Sequence, residues 1–160
     1  MLCLAVLGSV TAMLVCSCGS SGSQQIRLSA PNPAMVADGT AELLRLMNEA
    51  RSKNRRAILT TDPRLMLAAR DHAESMAKHN YFAHRGRDGS HFQIRMQRRG
   101  YPQSHSAENL AMAGDAATVF DMWWQSKGHK TNMMNKKYTR VGIARAGNYW
   151  TANYAAPDGT

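Results

Sequence analysis

The chain has 160 residues, of which 44% are hydrophobic and 19% charged, and it carries a formal net charge of +9. That length holds one domain with a packed core, and the composition excludes wholesale disorder. The three cysteines, Cys3, Cys16 and Cys18, all fall at the amino-terminal end, which excludes a disulfide, a thiolate metal site and a cysteine nucleophile from the rest of the chain.

Residues 1–18 contain no charged side chain, and the apolar run from Leu2 to Val15 is too short to span a bilayer comfortably. It fits the hydrophobic region of a signal peptide. The run ends Val15-Cys16-Ser17-Cys18, which resembles a bacterial lipobox with Cys18 as the acylated residue. The expectation is a signal peptide over 1–18 and a membrane-anchored lipoprotein of the bacterial envelope, with plain secretion as the alternative. Residues 19–39, rich in Ser and Gly and carrying Pro31 and Pro33, read as a flexible linker.

The basic residues are spread along the body: Arg51 to Arg56, Arg85 and Arg87, Arg95 to Arg99, Lys127 and Lys130, Lys136 to Arg140. No aromatic residues interleave with them in a base-stacking pattern, so nucleic acid is not the expected partner. An exported basic protein meets anionic lipids and cell-wall polymers.

The folded body is expected over 40–157. A first helix opens near Thr40, the expected cap, with Leu43, Leu44, Met47 and Ala50 as its apolar stripe. Asn48 and Arg51 lie one turn apart near its end, placed either to tie it to neighbouring backbone or to face solvent. Thr61-Asp62-Pro63 opens a second helix that runs to about His79, with a cap before a first-turn proline. His72 falls on its buried face and reads as a core residue.

Asn80 to Gly89 is a loop, with Tyr81 and Phe82 as apolar anchors that leave His84 projecting from a fixed backbone. Ser90 is the expected cap of a short third helix to about Arg99. Ala107 to Gly114 is short and apolar apart from Glu108 and Asn109. A carboxylate there is costly to bury without a partner, which points to hydrogen bonds or a cation.

Asp115 caps a fourth helix to Lys127 with an aromatic face of Phe120, Trp123 and Trp124, and Gly128 is the expected stop. His129 follows where the chain reverses, and the stretch to Asn135 allows one further helical turn. Tyr138 to Ala146 and Asn148 to Ala155, joined at Gly147-Asn148, read as a β-hairpin. Helices first and a hairpin last give an α+β pattern.

The pieces also have an order. Asn48-x-x-Arg51 precedes Phe82-x-His84, Asp88-Gly89 and Gly100-Tyr101. Glu108-Asn109-Leu110, Trp123-x-x-Ser126-x-Gly128-His129-x-x-Asn132, Val141-Gly142-Ile143 and Tyr149-Trp150 follow. This order resembles the CAP superfamily of cysteine-rich secretory proteins, venom antigens and pathogenesis-related proteins, in its compact bacterial branch, over about Ala41 to Ala156. The resemblance implies an α-β-α sandwich with a central antiparallel sheet, and a cleft that in several members binds a divalent metal such as zinc. Carried over, His84, Glu108 and His129 are the implied metal residues. A further glutamate of the disulfide-rich branch falls at Ser126, so the acidic set is incomplete here.

Two imidazoles and a carboxylate can bind zinc with water completing the shell. Ligands far apart in sequence leave the geometry open. The leading expectation is a non-enzymatic, envelope-anchored binding domain with a metal-capable cleft, taking lipid, sterol or an anionic envelope polymer as partner. The alternative is a metal-assisted hydrolase of peptide or cell-wall material with Glu108 as base. A third reading makes the histidines and Glu108 a hydrogen-bonded polar core.

Overall fold

The structure is a computed structural model that describes residues 38–102 and 105–158. The leader over 1–18 with Cys18, and the expected linker up to residue 37, lie outside the described residues. Among the described residues the chain forms α1 (Thr40–Lys53), β1 (Thr60–Thr61), α2 (Pro63–His79), α3 (Phe92–Arg98) and β2 (Ser106–Met112). There follow α4 (Ala116–Gln125), α5 (Lys127–Met134), β3 (Arg140–Ala146) and β4 (Tyr149–Ala155).

The sheet order is β1-β3-β4-β2. The three long strands are antiparallel, and the two-residue β1 adds in parallel to β3, so the sheet is mixed at that edge. The hairpin expectation for β3 and β4 holds. β2 was not legible as a strand. It pairs along its whole length with β4, Glu108 opposite Asn153 and Asn109 opposite Ala152.

Strand residues alternate between faces, and here both faces are covered. Val141, Ile143, Trp150, Ala152 and Tyr154 join Leu43 and Met47 of α1, Val119 and Trp123 of α4 and Met133 of α5 in the larger core. The other face packs on α2 and α3, with Leu65, Ala68, Met96, Tyr101 and Ala155 in one cluster and Ala69, Ala73 and Ala144 in another. Helices on both sides of one sheet make the α-β-α sandwich. Gly142 sets how close α2 comes: a Cβ there would stand 2.0 Å from the Leu65 carbonyl carbon.

The helix ends follow local chemistry. Asp62 caps α2, accepting from the backbone N–H of Arg64 at 2.9 Å, and Asp115 caps α4 through Thr118 N–H at 2.8 Å. Three expectations need correction. Asp38, not Thr40, supplies the capping oxygen of α1, taking both the Thr40 N–H at 2.8 Å and its hydroxyl at 2.6 Å. Ser90 does not cap α3, because its hydroxyl donates to Asp88 at 2.7 Å; His91 holds the cap position. Gly128 does not stop α4. That helix ends at Gln125, Ser126 turns the chain in extended geometry, and Gly128 lies inside α5.

Asn48 and Arg51 do tie α1 to neighbouring backbone. Asn48 donates to Leu59 O at 3.0 Å and accepts from Leu59 N–H at 2.7 Å. Arg51 is fully buried and donates to Ala57 O, Met133 O and Tyr138 O, each at 2.6 Å, and to Asn135 O at 3.2 Å. One guanidinium thus fixes the loop after α1, the end of α5 and the approach to β3.

Candidate functional site

Edge strand β2 organises the site. Successive residues on a strand face opposite layers, so Glu108 points to the α2/α3 side and Asn109 to the α4/α5 side. The partners bear this out. Glu108 meets His84 and Arg95, while Asn109 donates to His129 O at 3.1 Å and accepts from Asn132 Nδ2 at 2.9 Å. Asn109 therefore docks α5 against the sheet edge, and with it His129.

His84 comes from the loop between α2 and α3. The loop is held from below by His72, which is buried and donates its Nε2–H to Ala83 O at 2.9 Å. Tyr81 adds a hydroxyl contact to Ser75 at 3.0 Å and an edge-on packing against His72. His72 is the core residue expected, and burial depresses its pKa, keeping it neutral. Phe82 is not an anchor: it is 47% exposed and tilts against Tyr149. Its place at the base of the loop is taken by the His72 hydrogen bond.

The Glu108 side chain is fully buried, while that of His84 is 55% exposed. Oε1 of Glu108 accepts from His84 Nδ1 at 2.9 Å, and Oε2 accepts from Arg95 at 2.7 Å. Asn153, oriented to satisfy both its ends, donates to the same Oε2 at 3.2 Å and accepts from Ala69 N–H at 3.2 Å. Arg95 also donates to His84 O at 3.0 Å and to Ser90 O at 2.9 Å, so one guanidinium holds the carboxylate and the loop together. An ionised carboxylate only accepts. The hydrogen of this bond therefore sits on His84 Nδ1, which leaves Nε2 as the ring nitrogen not engaged by Glu108.

His129 stands at the other side of the edge, half-buried and tilted against Trp123 at 6.4 Å between ring centroids. Its pKa is depressed, first by burial and then by the positive field of His84. Among the described residues, no three His, Cys, Asp or Glu side chains converge as a ready-made metal-ligand set. The oxygens of Glu108 face His84, Arg95 and Asn153. Of the three expected metal residues, Glu108 is spent behind His84 as an orienting carboxylate, which leaves the imidazoles of His84 and His129 as the side chains that would have to hold an ion.

Arg95 and Asn153 were missed as site residues. The demand of a buried carboxylate for a cation was legible, but nothing in the sequence chose Arg95 among its basic neighbours. Asn109 and Asn132 stood in recognisable motifs without a role; the structure makes them the link between β2 and α5.

The model of the family described as "CAP: Cysteine-rich secretory protein family" matches residues 44–154. A solved extracellular protein of Bacillus anthracis containing an SCP domain superposes with a TM-score of 0.72 at 25% identity, covering 81% of this chain and 45% of that one. An outer surface protein of Borrelia burgdorferi superposes with a TM-score of 0.68 at 21% identity, covering 78% of this chain and 96% of the other, and so shares the fold. An uncharacterized membrane protein of Bacillus subtilis is 28% identical over 114 residues, 71% of this chain and 33% of its own length. The chain spans a third to about half of the relatives it matches in sequence.

Proposed function

The chain belongs to the cysteine-rich secretory protein (CAP) family, and from that premise we propose that it is an exported, envelope-held binding domain whose edge cleft takes a divalent ion between His84 and His129. Support for export comes from the apolar leader with its Cys18 signal and from similarity to extracellular and outer surface proteins. Among the described residues no helix is long and apolar enough to cross a membrane, which suits attachment through a lipid on Cys18. The net charge of +9 favours an anionic envelope polymer over a neutral sterol as the partner.

One observation carries the binding reading: both oxygens of Glu108 are already engaged, by His84 and by Arg95. A hydrolytic base needs a free oxygen within reach of water. A buried carboxylate locked between a guanidinium and an imidazole is suited to hold a ring in place. When zinc is bound, it supplies a positive centre that fixes the two imidazoles and presents an exchangeable water position to an anionic group. The chain's own part is to fix the His84 ring from below and to hold His129 through Asn109.

The test is calorimetric titration of zinc into the metal-stripped protein. The wild type takes one ion, and His84→Ala and His129→Ala take none while remaining folded. Glu108→Gln weakens binding by about 10–100-fold without abolishing it, as loss of an orienting carboxylate does. Complete loss in Glu108→Gln, matching the histidine variants, would make Glu108 a ligand. Absence of binding in the folded wild type overturns the metal reading and moves the search to the polymer itself.

A further inference from the structure

The end of α2 and the loop that carries His84 form an exposed basic segment. Lys78, His79 and Asn80, then Phe82 to Arg85 and Arg87, are all exposed. Between Glu74 and Asp88 the chain has no carboxylate and three side chains of fixed positive charge, Lys78, Arg85 and Arg87. None of the three makes an ion pair among the described residues. Arg85 spends one N–H on Gly89 O at 3.1 Å, which leaves its charge uncompensated. Of the bordering carboxylates, Asp88 is taken by Arg98 and Asp71 by Arg99. Exposed Glu74, one turn before Lys78, is the negative edge of the segment.

An apolar strip adjoins these cations. Alternate residues of β2 share the face of Glu108, so Met112 stands on the side of the sheet that the His84 loop covers. It is 49% exposed. Tyr149, its partner across the strands, shares that face. The Tyr149 ring tilts against Phe82 at 6.5 Å between centroids, and its hydroxyl donates to Asn80 Oδ1 at 3.0 Å. Arg87 returns to the same loop, lining one hollow with Ser75 and Tyr81. Two of the five large apolar side chains exposed among the described residues, Phe82 and Met112, therefore flank a single tyrosine ring. Adjacent exposed apolar groups with a polar rim mark an interaction surface, where scattered ones do not.

We infer that this face is a membrane-docking surface that lies on a bilayer leaflet containing anionic lipid. Phe82 and Met112 enter the headgroup region, Tyr149 sits between them at the interface, and Lys78, Arg85 and Arg87 lie among the lipid phosphates. The mixture of side chains selects this occupant. A soluble anionic polymer would match the cations and leave Phe82 and Met112 in water. A second copy of the chain would set the same cations against each other. An anionic leaflet takes both kinds of side chain at once, as interfacial protein segments do. Each cation near such a surface is worth about fivefold in affinity, so the three give on the order of 100-fold before any apolar contact. The surface needs neither zinc in the cleft nor a lipid on Cys18, and the polymer proposed for the cleft is a separate partner.

The experiment is a ¹H–¹⁵N spectrum of the full chain on bicelles of phosphatidylcholine with phosphatidylglycerol, their acyl chains carrying a doxyl label. Labelled bicelles of phosphatidylcholine alone are run beside it. Attachment through the leader is common to both bicelles and to every variant, so the readout is which face of the folded body is broadened. The expected result is broadening of the Phe82 to Arg87 and Met112 amides on the anionic bicelles, with Asp121 and Met122 on α4 left sharp. A triple variant, Lys78→Ser with Arg85→Ser and Arg87→Ser, loses this pattern, and so does the double variant Phe82→Ser with Met112→Ser. Both sets lie on exposed side chains, and a wild-type spectrum elsewhere shows that each variant is folded. Equal broadening on the neutral bicelles, broadening spread over all faces, or its retention in either variant overturns the proposal. So does an equal response of the wild type and the double variant to dextran sulfate without broadening on bicelles, which assigns the cations to a soluble polyanion. Zinc binding by the cleft is measured separately, so either reading can fail without the other.

Discussion

Two buried arginines do different work on the two sides of the sheet. Arg51, on the α1 side, has all its nitrogens matched by four backbone carbonyls and makes no ion pair among the described residues. Arg95, on the α3 side, meets two carbonyls and the Glu108 carboxylate, and its Nε–H has no acceptor among the described residues. Arg51 is a closed structural clamp, joining segments far apart in sequence. Arg95 is a clamp centred on a buried carboxylate, that of Glu108. The comparison separates a residue that holds only the fold from one that also holds the carboxylate and the loop behind His84.

The comparison can be broken by substitution. Arg51→Leu removes the donors of four carbonyls, those of Met133 and Tyr138 in buried bonds, and costs the most, on the order of 4 kcal/mol by urea unfolding. No single second change should rescue it, because no charged partner exists. Arg95→Met leaves Glu108 buried without its guanidinium, held only by His84 and Asn153, and costs about 3 kcal/mol. Here rescue is expected: with Glu108→Gln added, the double variant should be at least about 1 kcal/mol more stable than the sum of the two single losses predicts. Strict additivity would remove the distinction between the two arginines.

Asn109→Ala sharpens the boundary between the two sides, since this residue ties α5 to β2. Losing its bonds to His129 O and Asn132 should cost about 2 kcal/mol and weaken zinc binding through His129, while the Arg95 Nε–H signal stays in place. The smallest effect calibrates the rest. Asp62→Ala removes an ordinary helix cap and costs about 1 kcal/mol. Burial alone would raise the Asp62 pKa, but the guanidinium and backbone N–H of Arg64 outweigh it and hold the group below its ordinary value. Its stabilisation is therefore complete above the ordinary aspartate pKa and disappears as pH falls through the lowered one. The gap between wild type and Asp62→Ala should close in acid and stay constant at neutral pH.

Much of this was legible in the sequence where one residue type has one good use. The Asn48 and Arg51 spacing left a tie to backbone and a solvent-facing role both open, and the hydrogen bonds decide for the tie. His72 fell on the buried face of its helix and is buried. Glu108 beside an apolar run demanded a partner and has Arg95. What was not legible depended on the third dimension. β2 did not read as a strand because it is an edge strand covered on both sides, so Glu108 and Asn109 interrupt the pattern instead of marking its polar face. The α4 stop was misplaced because Ser126 turns the chain before Gly128, and Gly128 meets nothing a side chain would disturb. Phe82 looked like an anchor, yet the loop is held by His72 through the Ala83 carbonyl. The assignment of Glu108 as a metal residue came from family resemblance; only the geometry shows how its oxygens are engaged.

The measurement closest to the central claim is the tautomer of His84, read from long-range ¹H–¹⁵N couplings of the ring at a pH where it is neutral. The account predicts the proton on Nδ1, donated to Glu108, with Nε2 bearing the lone pair toward the cleft, and loss of that preference in Glu108→Gln. A proton on Nε2 in the wild type would contradict it, because Glu108 would then not be orienting the ring and the cleft would have to be rebuilt around another role for that carboxylate.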